Sequence, residues 1–145
     1  MRLAKLYLRT KDLLINAQSQ TTTGAWILSS PVTRLGADCP NDALGAAVRA
    51  AIQGSRAGVP HPKVFKGLSD PLYELAKVKD WLTFVKGAKC VSVREDAGTI
   101  TLTPMRNLGA KEGFQEEPPS ALSVADSATP DALGEALRAA LARAV

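Results

Sequence analysis

The chain has 145 residues, 46% hydrophobic, 22% charged and 5% aromatic, with a formal net charge of +4. That suits one domain over residues 1–145 with a modest core, and excludes a membrane-spanning helix or a disulfide scaffold: no stretch reaches membrane-spanning length, and Cys39 and Cys90 stand alone, outside any Cys-x-x-Cys pair. The N-terminal MRLAKLYLRTK lacks the continuous apolar segment and the small-residue cleavage site of a leader, so a cytoplasmic location is expected.

Ala4, Leu6 and Leu8 alternate with Lys5, Tyr7 and Arg9, the period of a strand with one wet face. A turn is expected at Lys11-Asp12, then a strand carrying Leu13, Ile15 and Ala17. After the polar tract from Gln18 to Thr23, Ala25-Trp26-Ile27-Leu28 predicts a third strand, ended by Ser29-Ser30-Pro31. Leu44, Val48, Ala51 and Ile52 share one face of a helix running from Asp42 to about Arg56, with Asp42 favourable in the first turn. The segment AGVPHPKVFKG, residues 57–67, predicts an extended connection. Ser69-Asp70-Pro71 then opens a short helix, a break follows near Lys77, and a second short piece carries Trp81, Leu82 and Val85 to Gly87.

The clearest strand signal is KCVSVREDAGTITLTP: Val91 and Val93 alternate with polar residues, as do Ile100 and Leu102, around Glu95-Asp96-Ala97-Gly98. It predicts an antiparallel hairpin whose second strand ends at Pro104, releasing a polar loop from Met105 to Phe114. Beyond the acidic, proline-bound stretch 115–119, Ala121 to Val124 fits an edge strand. Thr129-Pro130-Asp131 then caps a last helix with Leu133, Leu137 and Leu141 as its apolar stripe. The expected class is α+β, a mostly antiparallel sheet with about four helices.

An internal echo stands out. DALGAAVRAAI, from Asp42, and DALGEALRAAL, from Asp131, agree at eight of eleven positions. Two explanations are open, a duplicated strand-helix unit or the convergence of two alanine-rich helices. Under either, both helices pack on the same sheet, and Gly45 and Gly134 allow a neighbouring backbone to come close.

The material for catalysis is thin. His61 is the lone histidine, held between prolines, and neither cysteine lies in a motif that would activate it; metal clusters and phosphate-binding glycine loops are absent from the sequence. Glu95-Asp96 and Glu116-Glu117 have the pattern of solvated surface acids. A binding protein without cofactor is therefore favoured over an enzyme.

The segments GVPHPKVFKG, VKDWLTFVKGAKCVSV and TLTPMRNLGAKEGF, followed by an acidic stretch and a helix opening Pro-Asp-Ala-Leu-Gly, resemble the immunity proteins of bacterial contact-dependent growth inhibition (CDI) systems. The likeness runs from about Gly58 to the C-terminus. It implies a small cytoplasmic protein that binds and blocks the C-terminal toxin domain delivered by a neighbouring cell, commonly a nuclease, and that contacts neither nucleic acid nor membrane. On that expectation Arg106, Asn107, Lys111, Glu112, Phe114, Glu116 and Glu117 are the partner-binding candidates. Arg106 and Lys111 would pair with toxin carboxylates, the glutamates with toxin basic groups, and Phe114 would anchor. Each has a plainer role open to it: Arg106 and Asn107 as braces of their own loop, Phe114 as core, the glutamates as linker. The net positive charge sits awkwardly with a basic nuclease partner. The alternative function is a small nucleic-acid-binding module using Lys63, Lys66, Lys77, Lys79 and Lys86, although the aromatics that stack bases are not interleaved with them.

Overall fold

A computed structural model describes residues 1–145. The alternating N-terminal third forms three strands, β1 (Arg2–Arg9), β2 (Asp12–Thr21) and β3 (Trp26–Gly36), followed by α1 (Asn41–Gly54). A short β4 (Ala57–Val59) leads to α2 (Asp70–Ala76) and α3 (Trp81–Val85). The hairpin β5 (Lys89–Asp96) and β6 (Thr99–Asn107) comes next, then β7 (Phe114–Glu116), a 3-10 turn at Pro118–Ser120, β8 (Leu122–Ala125) and α4 (Pro130–Arg143).

All eight strands join one sheet, antiparallel except where β4 runs parallel to the end of β2. Across its width the order is β3-β2-β1-β5-β6-β8, with β7 beside the far end of β6. The order is mirrored about the central pair β1 and β5. Three strands and a helix on one side, β1-β2-β3-α1, match three strands and a helix on the other, β5-β6-β8-α4.

The two echoed helices cover one face. Leu44, Val48, Ile52, Leu133, Leu137 and Leu141 pack on Leu6, Leu13, Ile15, Val91, Val93, Ile100 and Leu102. A Cβ on Gly45 would lie 2.7 Å from the carbonyl carbon of Pro130, and one on Gly134 2.5 Å from that of Asn41, so each glycine is what lets the first residue of the other helix sit where it does. The echoed arginines cross in the same way. Arg49 donates to the Ala128 carbonyl at 2.7 Å, and Arg138 donates to the carbonyls of Ala37, at 2.9 Å, and Cys39. The eight shared positions thus include the residues that make one helix crossing from both sides.

The opposite face departs from the sequence expectation. Tyr7 does not face water: it is buried with Leu14, Cys90 and Met105 under Leu72, Ala76 and Phe84 from α2 and α3, while Lys5 and Arg9 on the same face stay half-exposed. Tyr7 meets Phe84 edge-on with ring centroids 5.0 Å apart, and Arg9 lays its guanidinium over that ring while donating to the Phe84 carbonyl. The molecule therefore has three layers, with the sheet between a symmetric helix pair and the inserted segment 57–88.

Both proline-based strand ends are corrected. β3 runs through Ser29-Ser30-Pro31, because the ladder with β2 passes from Ser29 to Val32 opposite Ala17 and Asn16 and leaves Ser30 and Pro31 in a bulge. β6 continues past Pro104 to Asn107. Pro104 accepts from the Glu117 N–H on its outer side, and a strand residue points its N and its carbonyl the same way, so the missing donor faces the gap between β7 and β8 and costs no bond to β5. The turn expected at Lys11-Asp12 falls at Thr10 and Lys11, with Asp12 already in β2. The acidic stretch after the loop is partly ordered as β7.

Candidate functional site

The expected Met105–Phe114 loop shrinks to residues 108–113, closed by a bond from the Leu108 N–H to the Gly113 carbonyl at 2.8 Å and one from the Gly113 N–H to the Gly109 carbonyl at 2.7 Å. Asn107 fixes its base. The amide donates to the carbonyls of Val85, at 2.7 Å, and Ala88, at 2.8 Å, and its oxygen accepts from the Gly109 N–H at 2.9 Å, using both of its donors and one of its two acceptor directions. Trp81 fixes the tip, its indole N–H donating to the Ala110 carbonyl at 2.9 Å.

Beside this loop lies a cleft of about 480 Å³ between the end of α3, the turn into β5 and the C-terminal residue. Leu82, Val85, Ala88, Ala110 and Val145 supply its apolar lining, and Lys86 and Lys89 its charge. Leu82 and Val145, both lining the cleft, are 56% and 64% exposed, and Leu108 on the adjoining loop is also exposed; adjacent exposed apolar side chains of this kind mark interaction surfaces. The C-terminal residue is tied in by bonds from the Asn107 N–H to the Val145 carbonyl and from the Val145 N–H to the Met105 carbonyl.

The seven sequence candidates fall into two groups. Lys111 and Glu112 are exposed on the loop itself. The other five have internal partners: Arg106 pairs with Glu117 at 2.8 Å, Arg94 with Glu116 at 3.8 Å, Asn107 holds the loop base, and Phe114 packs its ring 5.7 Å from Tyr7 and 5.9 Å from Trp81. The acidic run is thereby offset by arginines. The charge left open around the cleft is mostly positive, from Lys86, Lys89 and Lys111 against Glu112. Lys89 and Val145 were not singled out in the sequence; Leu82 was read there as part of an apolar helix face, and Lys86 only as a contact of the alternative nucleic-acid reading. Their signal was faint: an apolar residue on a short helix that turns outward becomes visible only when the packing of α3 is known.

His61 is exposed, with Nδ1 2.6 Å from the Thr23 hydroxyl and 3.1 Å from that of Thr21, and its ring edge-on to Phe65. Cys90 is buried among apolar groups, which pushes its thiol up to about 12, so it remains a neutral thiol. No cluster of three His, Cys, Asp or Glu side chains is placed to hold a metal, and no helix is long and apolar enough to cross a membrane.

Residues 4–144 match the family described as CDI immunity protein. No curated protein matches the sequence. Among solved structures, a protein of unknown function from Neisseria meningitidis aligns with a TM-score of 0.82 at 19% identity, over 99% of this chain and 95% of that one. A structure described as a CdiA-CT/CdiI toxin and immunity complex from Yersinia pseudotuberculosis aligns with a TM-score of 0.80 at 17% identity, over 99% and 97%. At such identities the likeness is one of fold.

Proposed function

This chain belongs to the CDI immunity protein family, and from that premise we propose that it binds the C-terminal domain of a cognate toxin, a nuclease, and blocks its active site without catalysis of its own. The observation that carries the reading is the family match over residues 4–144, nearly the whole chain. The structural relative described as a toxin and immunity complex supports a toxin as the partner.

The contact surface is the cleft with the loop 108–113. Leu82 and Val145 form the apolar centre and Lys86 and Lys89 its charged edge, while Leu108, Lys111 and Glu112 extend the surface along the loop, the arrangement of an interface in which buried anchors give affinity and the rim gives orientation. Arg106, Glu116, Glu117, Asn107 and Phe114 hold that surface in shape from within. A positive rim fits a toxin face carrying acidic residues, which removes the conflict between a net charge of +4 and a basic toxin. A preformed loop with its hydrogen bonds already made loses little freedom on docking.

The test uses the toxin domain encoded beside this chain. Cells expressing it should die with degraded nucleic acid and survive when this chain is co-expressed. Leu82→Glu and Lys111→Glu should weaken the purified complex by roughly ten- to a hundredfold, while Glu135→Lys, exposed on α4, should leave it unchanged. Protection by the wild type with no effect of either cleft variant would remove the surface assignment; absence of protection would remove the function.

A further inference from the structure

A second cavity, of about 240 Å³, lies between the sheet and the inserted layer, away from the helix pair. Five aromatic rings line it: Tyr7 and Trp26 from the sheet, Tyr73 and Trp81 from α2 and α3, and Phe65 from the loop before α2. None of its lining residues is charged. Asn16 reaches it from β2 and is 1% exposed.

Asn16 sits where the β2 ladder shifts register to pass the Pro31 bulge, and its amide nitrogen donates to the Ala17 carbonyl at 3.0 Å. The bulge accounts for that half of the side chain. It does not account for the other half, because Asn16 Oδ1 is the one buried side-chain polar atom without a hydrogen-bond partner. An aliphatic side chain of similar size would fill the position without stranding an acceptor, so the amide oxygen is the feature that needs a ligand.

The geometry points to a binding site for a neutral, planar heteroaromatic molecule of one or two rings that donates an N–H to Asn16 Oδ1. Size, charge and shape each narrow the class. Cavities of about 150 Å³ take benzene and drug-sized ligands need roughly 300 Å³ or more, so about 240 Å³ suits one or two rings. An ionised ligand would lose its hydration with no counter-charge among the lining residues. The aromatic walls favour a flat ring that offsets or meets them edge-on. Phe65, 53% exposed, is the most solvent-open of the five rings. The cleft lined by Leu82 and Val145 shares no lining residue with this cavity; Trp81 links the two, its ring lining the cavity and its N–H holding the Ala110 carbonyl of the loop.

The experiment uses the whole chain with indole as probe and benzofuran, in which oxygen replaces the N–H, as its isostere. Trp26 and Trp81 are the two tryptophans of the chain and both line the cavity, so their side-chain N–H resonances in nitrogen-15 spectra report occupancy. Indole should shift both and bind about tenfold tighter than benzofuran, the usual worth of one hydrogen bond. In Asn16→Leu that preference should vanish while the unfolding transition stays cooperative. Equal affinity for the two probes in the wild type, or no shift of either resonance at millimolar indole, would overturn the site, and this comparison needs no variant to fold. An indole preference that survives in a folded Asn16→Leu protein would overturn the role of its oxygen.

Discussion

Gly45 and Gly134 stand in a reciprocal relation: each lies against the backbone of the first residue of the other's helix, Pro130 for Gly45 and Asn41 for Gly134, at a separation that admits no side chain. Replacing either by alanine forces α1 and α4 apart over the core they share. Gly45→Ala and Gly134→Ala should each cost about 1–3 kcal/mol, the range for overpacking a closed contact. The double variant should cost less than the sum, because helices already separated by one methyl have room for the other. Urea unfolding of the four proteins measures both effects, and full additivity would mean the two contacts are not one crossing.

Asn107 should prove the most sensitive of the polar positions near the cleft. Asn107→Ala leaves the Val85 and Ala88 carbonyls and the Gly109 N–H without their partner, a loss of about 2 kcal/mol or more in a half-buried place. Amide exchange should quicken at Gly109 and around the loop 108–113 while β1 and β2 stay protected. A uniform rise in exchange across the sheet would instead mark Asn107 as a general core residue.

Arg106 and Glu117 form the shortest ion pair of the chain at 2.8 Å, yet both are partly solvated, at 56% and 33% exposure. Removing the pair should change stability by less than about 1 kcal/mol. A fall in toxin affinity for Arg106→Ala larger than this would assign the arginine a direct contact; an unchanged affinity would leave it as a brace.

Alkaline pH should destabilise the fold through groups that are neutral only while buried. Burial raises Tyr7 well above its ordinary value, with the Cys90 thiol adding to it, and raises Cys90 to about 12. Folded-state values above the unfolded ones mean that the contribution of these groups is fully present below about pH 9 and is lost as the pH climbs towards 12. Chemical-denaturation midpoints measured from pH 7 upward should fall beyond pH 9. In the native state iodoacetamide should label the partly exposed Cys39 and spare Cys90 until the chain unfolds; native labelling of Cys90 would contradict its burial.

The local elements were legible in the sequence because their causes are local. The cap at Thr129, where the hydroxyl accepts from the Ala132 N–H at 3.1 Å, the break at Lys77 in a left-handed conformation, and the alternation around Val91 and Ile100 depend only on near neighbours. The echo of Asp42-Ala-Leu-Gly and Asp131-Ala-Leu-Gly was visible too, and so was the family likeness. What tertiary structure alone decided is what each residue faces. Pro31 and Pro104 remain inside strands because their missing donors point into a bulge and into a gap between partners, facts of pairing and not of composition. Tyr7 is buried because a segment inserted some sixty residues later folds over it, and a two-residue period cannot tell water from a helix laid across the same face. The apolar cleft beside Asn107 and the stranded oxygen of Asn16 arise in the same way, where segments distant in sequence meet and leave space, since a chain records the size and polarity of its side chains but not the gaps between them.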